Sequence, residues 1–167
     1  MRIFHLQPGG ATELADLPGQ APAQGFLWIS CTRATLQERL ADVQRTLQLL
    51  SGQQLVDLHV SDLLNAQLPS RYDYTSQYDL LVFRRLATAQ GDGAAQPSAP
   101  APVAPAENPA RRSGPPVLRR IDTSPVGFAV FDRVLLTVHP AGCTVLDQYS
   151  ARLLASASAA TENENWG

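Results

Sequence analysis

Lysine is absent from this sequence: all 13 basic residues among its 167 are arginine. That absence excludes chemistry built on a lysine, such as a Schiff base or a phosphate-loop ammonium. Cysteine is scarce too, with only Cys31 and Cys143 and no Cys-x-x-Cys pair to form a zinc ribbon or a redox motif. Both thiols sit in apolar segments, Trp28-Ile29-Ser30-Cys31 and Cys143-Thr144-Val145-Leu146, which predicts buried free cysteines in a reducing compartment. No uncharged apolar run approaches the roughly 18 residues of a membrane-spanning helix. The start, Met1-Arg2-Ile3-Phe4-His5-Leu6, lacks the apolar stretch of a secretory signal. The expectation is a chain that is not exported and that works in water. Charged residues make up only 17% and the net charge is -2, which argues against both a wholly disordered chain and a nucleic-acid binder. A Gly-x-Ser-x-Gly elbow, a phosphate-binding glycine loop and a Gly-x-Gly-x-x-Gly turn are also missing.

What is present is enough apolar sequence, 44% of residues, to build one core. A single domain over residues 1–167 is expected, interrupted by a long disordered Pro/Ala-rich loop at about 88–117. Seven of the 13 prolines lie from Pro97 to Pro116, and large apolar residues nearly vanish there. Before that insert, Arg2 to Leu6 reads as an edge strand and Phe26 to Ser30 as a buried one. Thr35-Leu36-Gln37-Glu38 has capping-box spacing, and Leu36, Leu40, Val43, Leu47 and Leu50 form a helical stripe that Gly52 ends. A short helix is expected over Asp57 to Ala66 with Leu58, Leu63 and Leu64 inward. Arg71–Thr75 and Tyr78–Leu86 then read as a hairpin, the second strand carrying the buried run Leu80-Leu81-Val82-Phe83. After the insert, Val126–Phe131 and Val134–Val138 form a tight hairpin, and a last helix runs from about Thr144 to Ala155. The sum predicts an α/β fold with a mixed parallel and antiparallel sheet sandwiched by helices.

Candidate chemistry is sparse. His5, His59 and His139 fall in three different elements with no ligand spacing between them. A Cys-His hydrolase pairing Cys31 or Cys143 with His139 lacks any signature that would activate the thiol. Asp57, Asp62, Asp73, Asp79, Asp92, Asp122, Asp132 and Asp147 sit near element ends, where capping and surface roles are the ordinary ones. Arg111, Arg112, Arg119 and Arg120 flank the proline-rich stretch without interleaved aromatics, as a solvated basic cluster does. These residues predict no catalytic site and no tightly bound cofactor, and they leave any metal site unassigned.

The order of motifs is more telling than any one of them. Trp28-Ile29-Ser30 precedes a helix, followed by His59-Val60-Ser61-Asp62-Leu63-Leu64, Leu68-Pro69-Ser70-Arg71-Tyr72-Asp73-Tyr74, Tyr78-Asp79-Leu80-Leu81-Val82-Phe83-Arg84 and Val134-Leu135-Leu136-Thr137-Val138-His139-Pro140. This succession, over roughly residues 26–155, resembles the N-terminal cytoplasmic domain of the CorA family of divalent-cation transporters. Two departures stand out: Leu-Pro-Ser-Arg replaces the family's Arg-Pro-Lys-like segment, and the Pro/Ala insert replaces a short connection. The resemblance implies a non-enzymatic regulatory domain of a Mg²⁺ or Co²⁺ transporter, on the cytoplasmic side of a bacterial inner membrane. It implies a homopentameric funnel as partner, together with the protein's own transmembrane domain. It also implies divalent cations held weakly by carboxylates between subunits, for which Asp92 is the nearest guess. The pore tripeptide Gly-Met-Asn cannot lie in a sequence whose only methionine is Met1, so the chain reads as a fragment of a longer protein, monomeric in isolation. Two alternatives stay open beside it: the zinc-transporting branch of the same superfamily, and an independent protein-binding module that uses the Pro-rich insert. An enzyme of unrecognised type comes third.

Overall fold

The computed structural model describes residues 1–20, 22–86 and 123–163, with the side chains of 156–163 left out. The insert at about 88–117, with Asp92, Asp122 and the four arginines 111, 112, 119 and 120, lies outside the described residues. In chain order the elements are β1 (Arg2–Gln7), β2 (Gly10–Leu14), β3 (Phe26–Thr32), α1 (Arg33–Glu38), α2 (Leu40–Ser51), α3 (Asp57–Leu64), β4 (Arg71–Tyr74), β5 (Asp79–Leu86), β6 (Thr123–Val130), β7 (Val134–His139) and α4 (Thr144–Asn163). The strands make one seven-stranded sheet in the order β2-β1-β3-β7-β6-β5-β4. Among the described residues only β3 and β7 run parallel, from Leu27↔Val134 to Thr32↔His139, and every other pair is antiparallel. The sheet is therefore mixed, as the alternation of hairpins and helices predicts.

Strand register assigns every side chain to one of two faces, because successive residues point to opposite sides. On the first face, Ile3, Leu27, Ile29, Cys31, Leu80, Ala129, Val134, Leu136 and Val138 join Leu36, Val43, Leu47 and Leu63 of α1, α2 and α3 in one buried core. Helix α1 packs on β3 and β7, α2 on β7 and α3 on β6. The expected stripe is accurate: Leu36, Val43 and Leu47 have no exposed surface, and Gly52 ends α2 in the left-handed conformation at φ 74°. On the second face α4 packs against β2, and its Tyr149 meets Trp28 edge-on at 5.7 Å.

Several expectations need correction. Arg2–Leu6 is not an edge strand, since β2, which the sequence reading passed over, lies outside it through a turn at Gly9 with φ 93°. The N-cap of α1 is Thr32, whose hydroxyl accepts from the Thr35 N–H, so Thr35 is inside the helix and does not open a capping box. The chain then breaks at Arg39 before α2 begins, where one helix was expected. Leu58 is 61% exposed, because His59, Val60, Asp62 and Leu63 form the buried side of α3. Within the run Leu80 to Phe83, Leu80 and Val82 are buried while Phe83 is 56% exposed, so the strand alternates and is not buried on both faces. The last helix continues to Asn163.

Candidate functional site

Two polar clusters occupy opposite faces of the sheet. The first ties α3 to β4 and to Tyr78, the residue before β5. From the buried side of α3, His59 places Nδ1 2.8 Å from the Tyr78 hydroxyl and Nε2 3.3 Å from Asp73 Oδ2. Tyr78 also accepts from the Val56 N–H at 3.0 Å, so its own proton points to Nδ1 and the imidazole donates from Nε2 to Asp73. Arg71 donates to Asp73 Oδ2 at 2.8 Å and stands 3.0 Å from Asp62 Oδ2. The contact with Asp62 is an ion pair without hydrogen-bond geometry, which leaves that buried oxygen held by charge alone. The hydrogen bond from His59 and the neighbouring Tyr74 N–H and Arg71 charge hold the Asp73 carboxyl below its ordinary range, against a smaller opposing effect of burial. Burial pushes the Tyr78 phenol up. Each member is committed to another, so the cluster works as a fastener and offers no open nucleophile or ligand position.

The second cluster surrounds a cavity of about 240 Å³ where α4 begins, lined in part by Arg2, Phe4, Trp28, Ser30, His139 and Cys143. Trp28 donates its indole N–H to Thr137 at 2.8 Å across the parallel β3/β7 pair. Ser30 Oγ lies 3.2 Å from His139 Nε2, and His139 Nδ1 donates to the Pro140 carbonyl at 2.9 Å, which makes Nε2 the acceptor. Desolvation depresses the His139 pKa, which favours this neutral form. Arg2 is gripped by Glu13 at 2.8 Å and 3.0 Å and by Ser150 at 2.6 Å, with Asp147 at 3.6 Å. Cys31 and Cys143 are both buried and free, and burial pushes the Cys31 thiol up to about 12, far from the thiolate a Cys-His hydrolase requires. His139 is paired with Ser30, a residue that drew no attention in the sequence.

The remaining candidates stay apart. His5 bonds the Gln24 carbonyl at 2.8 Å and holds the loop before β3. Asp57 lies in the first turn of α3, where the helix dipole favours a carboxylate. Asp79 accepts from the Tyr72 hydroxyl at 3.3 Å, and Asp132 is exposed in the β6–β7 turn. Among the described residues no three His, Cys, Asp or Glu side chains converge as a metal site. No helix there is long and apolar enough to cross a membrane.

No protein-family model matches the sequence. No curated protein matches it either. Solved structures do. The soluble domain of CorA from Methanocaldococcus jannaschii superposes with a TM-score of 0.56 over 89% of this chain and 44% of its own, at 12% identity. The complete CorA magnesium transporter from the same organism gives 0.59 over 90% of this chain and 36% of its own, also at 12% identity. The cytoplasmic domain of ZntB from Vibrio parahaemolyticus gives 0.52 over 92% and 48%, at 12% identity. The chain thus spans less than half the length of each of these proteins. Over the described residues the seven-stranded sheet, its parallel β3/β7 pair and its helical layers have the fold of the matched parts of the CorA soluble domain and the ZntB cytoplasmic domain.

Proposed function

We propose that this chain is the cytoplasmic domain of a CorA-like divalent-cation transporter, a non-catalytic unit that links cation binding outside the membrane to the state of the pore. The observation that carries the reading is the superposition on CorA over 89% of the chain, coinciding with the motif order along β3, α3, β4, β5 and β7. Both polar clusters support it. They fasten helices to the sheet and leave no activated nucleophile, as suits a domain that transmits movement. Divalent cations in this reading are cargo and regulator, and carboxylates from neighbouring subunits would hold the regulatory ion with retained waters. Sibling subunits and a transmembrane region of the same polypeptide are the implied partners.

The test is made on the gene and on the full-length product. The reading frame beyond Gly167 is expected to encode two apolar segments of about 20 residues, with Gly-Met-Asn after the first. The protein is then expected to restore Mg²⁺ uptake in cells that lack their own importer. A stop codon at that point overturns the transporter reading. Zinc flux without magnesium flux moves the protein to the ZntB-like branch, to which the 0.52 superposition also lends support.

A further inference from the structure

The first turns of α4 stand over a cavity and do not lie flush on the sheet. After His139 ends β7, the chain turns through Pro140 to Cys143, with Gly142 in the left-handed conformation at φ 71°, and enters the helix at Thr144. The space beneath is about 240 Å³, room for several waters. On one side of it Arg2 of β1 is held by both oxygens of Glu13 and by Ser150 at 2.6 Å, with Asp147 of α4 at the longer distance of 3.6 Å. On the other side His139 accepts from Ser30 at Nε2 and donates from Nδ1 to the Pro140 carbonyl. Charge reaches His139 from several elements: Asp147 of α4, and, with the opposite sign, Arg33 of α1 and the Met1 amino group. Arg2 lines the same cavity, as do the buried cysteines 31 and 143. Among the residues that line it, Asp147 is the one acid.

We propose that α4 has two seats on the sheet, one for each charge state of His139, and that Asp147 exchanges Arg2 for the imidazolium when His139 takes up a proton. The neutral ring has no proton to offer Asp147, because its one N–H is committed to the Pro140 carbonyl. Protonation adds a second N–H at Nε2, the nitrogen that faces Ser30, together with a full positive charge. Asp147 gives up little in leaving Arg2: its side chain is 70% exposed and the pair is long, and such exposed ion pairs are weak. Arg2 gives up little either, since Glu13 and Ser150 still hold it. The half-buried imidazolium is a stronger partner, because fewer waters screen it. The cavity supplies the free volume that lets the first turns of α4 move toward His139. Desolvation holds the His139 pKa below its ordinary value, so the seat described above is the neutral one and the exchange belongs to mild acid. A histidine that biases a two-position element is a recurrent form of pH sensor. Under the transporter reading, acidification becomes an input to the domain beside the cation, while the two seats rest on this chain's own residues and their failure leaves that reading untouched.

The test follows α4 from the sheet beneath it. Trp28 stacks on Phe4 at 4.9 Å and meets Tyr149 of α4 at 5.7 Å, so its fluorescence responds when the helix moves. In the full chain Trp166→Phe leaves Trp28 as the only tryptophan. Titration toward acid is expected to give a reversible shift in Trp28 emission with a midpoint below about 6.5, while far-UV circular dichroism stays constant. Proton NMR of the His139 ring should titrate with the same midpoint. His139→Gln should abolish the emission shift. Asp147→Asn, at an exposed position that leaves the fold intact, should abolish the emission shift too, yet leave His139 titrating with its midpoint lowered by about 0.5–1 pH unit. Emission that stays constant while His139 titrates overturns the proposal. So does a His139 that remains neutral down to pH 5. A shift that survives His139→Gln assigns the effect to His5 or His59, and one that survives Asp147→Asn shows that no exchange of partners drives it; either result also overturns the proposal.

Discussion

The two faces of this sheet are built from the same strands and serve opposite ends. Leu80, Ala129 and Leu136 on the first face have no exposed surface, while Phe83 and Val130, displaced from these by odd steps along the same strands, are 56% and 39% exposed. Hydrophobicity alone does not separate them: phenylalanine is more apolar in area than alanine, yet alanine is inside. Position relative to α1, α2 and α3 decides burial. An open face that still carries aromatic side chains is the kind of surface that marks an interaction site. The largest expected effect follows. Leu80→Ala or Leu136→Ala removes atoms from a closed core and should cost about 2–5 kcal/mol. Phe83→Ala should cost less than about 1 kcal/mol, since so much of the ring is already in water. Urea denaturation of the three variants checks this, and equal losses would mean that the second face is as closed as the first.

Gly127 sharpens the contrast from the helical side. A Cβ at that position would lie 2.3 Å from Leu63 Cδ2, so α3 sits directly on the backbone of β6. Gly127→Ala should therefore destabilise by about 1–3 kcal/mol through overpacking. The obstacle is the tip of one leucine, so the same substitution in a Leu63→Ala background should cost much less. A double-mutant cycle reads the coupling. Additive losses would place the strain elsewhere.

Much of the first face was legible from sequence because helical spacing and strand alternation report burial directly. The stripe from Leu36 to Leu50, the left-handed end at Gly52 and the three hydrophobic strands required no knowledge of long-range pairing. Strand β2 escaped because Gly10-Ala11-Thr12-Glu13-Leu14 carries no strongly β-prone run, and it pairs mainly because Pro8-Gly9 turns it back on β1. The capping box failed because Thr32 and Thr35 compete for one role, and the chain direction out of β3 selects Thr32. The clusters were the least legible. His59, Asp62 and Asp73 were each noticed, but nothing local links them to Tyr78. Ser30 meets His139 only because β3 and β7 run parallel in a register that brings together residues 109 apart. Such pairs depend on topology, which no local pattern encodes.

The fastener on the covered side gives the next prediction. Tyr78→Phe keeps the ring stacked on Phe131 and removes only the hydroxyl that serves both Val56 and His59. Leaving the part-buried Val56 N–H and the buried His59 ring nitrogen without the hydroxyl should cost about 1–2 kcal/mol. Thermal unfolding measures it, with faster hydrogen exchange expected at Val56. A neutral result would show that α3 is held by packing alone.

The smallest effect lies beneath α4 and concerns pH. Burial depresses the folded-state pKa of His139, with Asp147 and the Pro140 carbonyl opposing it and Arg33 adding to it. The unfolded state therefore binds a proton first as pH falls. The stability from neutral His139 is complete above the unfolded value of about 6.5 and drains away as pH drops through it toward the lower folded value. Carboxylates whose pKa values are also lowered, Glu13, Asp16 and Asp73, lose their contribution only below about pH 4–5, where unfolded carboxylates begin to take up protons. The interval from pH 7 to 5 thus lies above the range in which those carboxylates act. His139→Gln, with an amide available to Ser30, should flatten the fall in stability over that interval relative to the native chain. A slope that stays unchanged would show that the cavity admits enough water to let His139 charge freely, and that the second face is open even beneath α4.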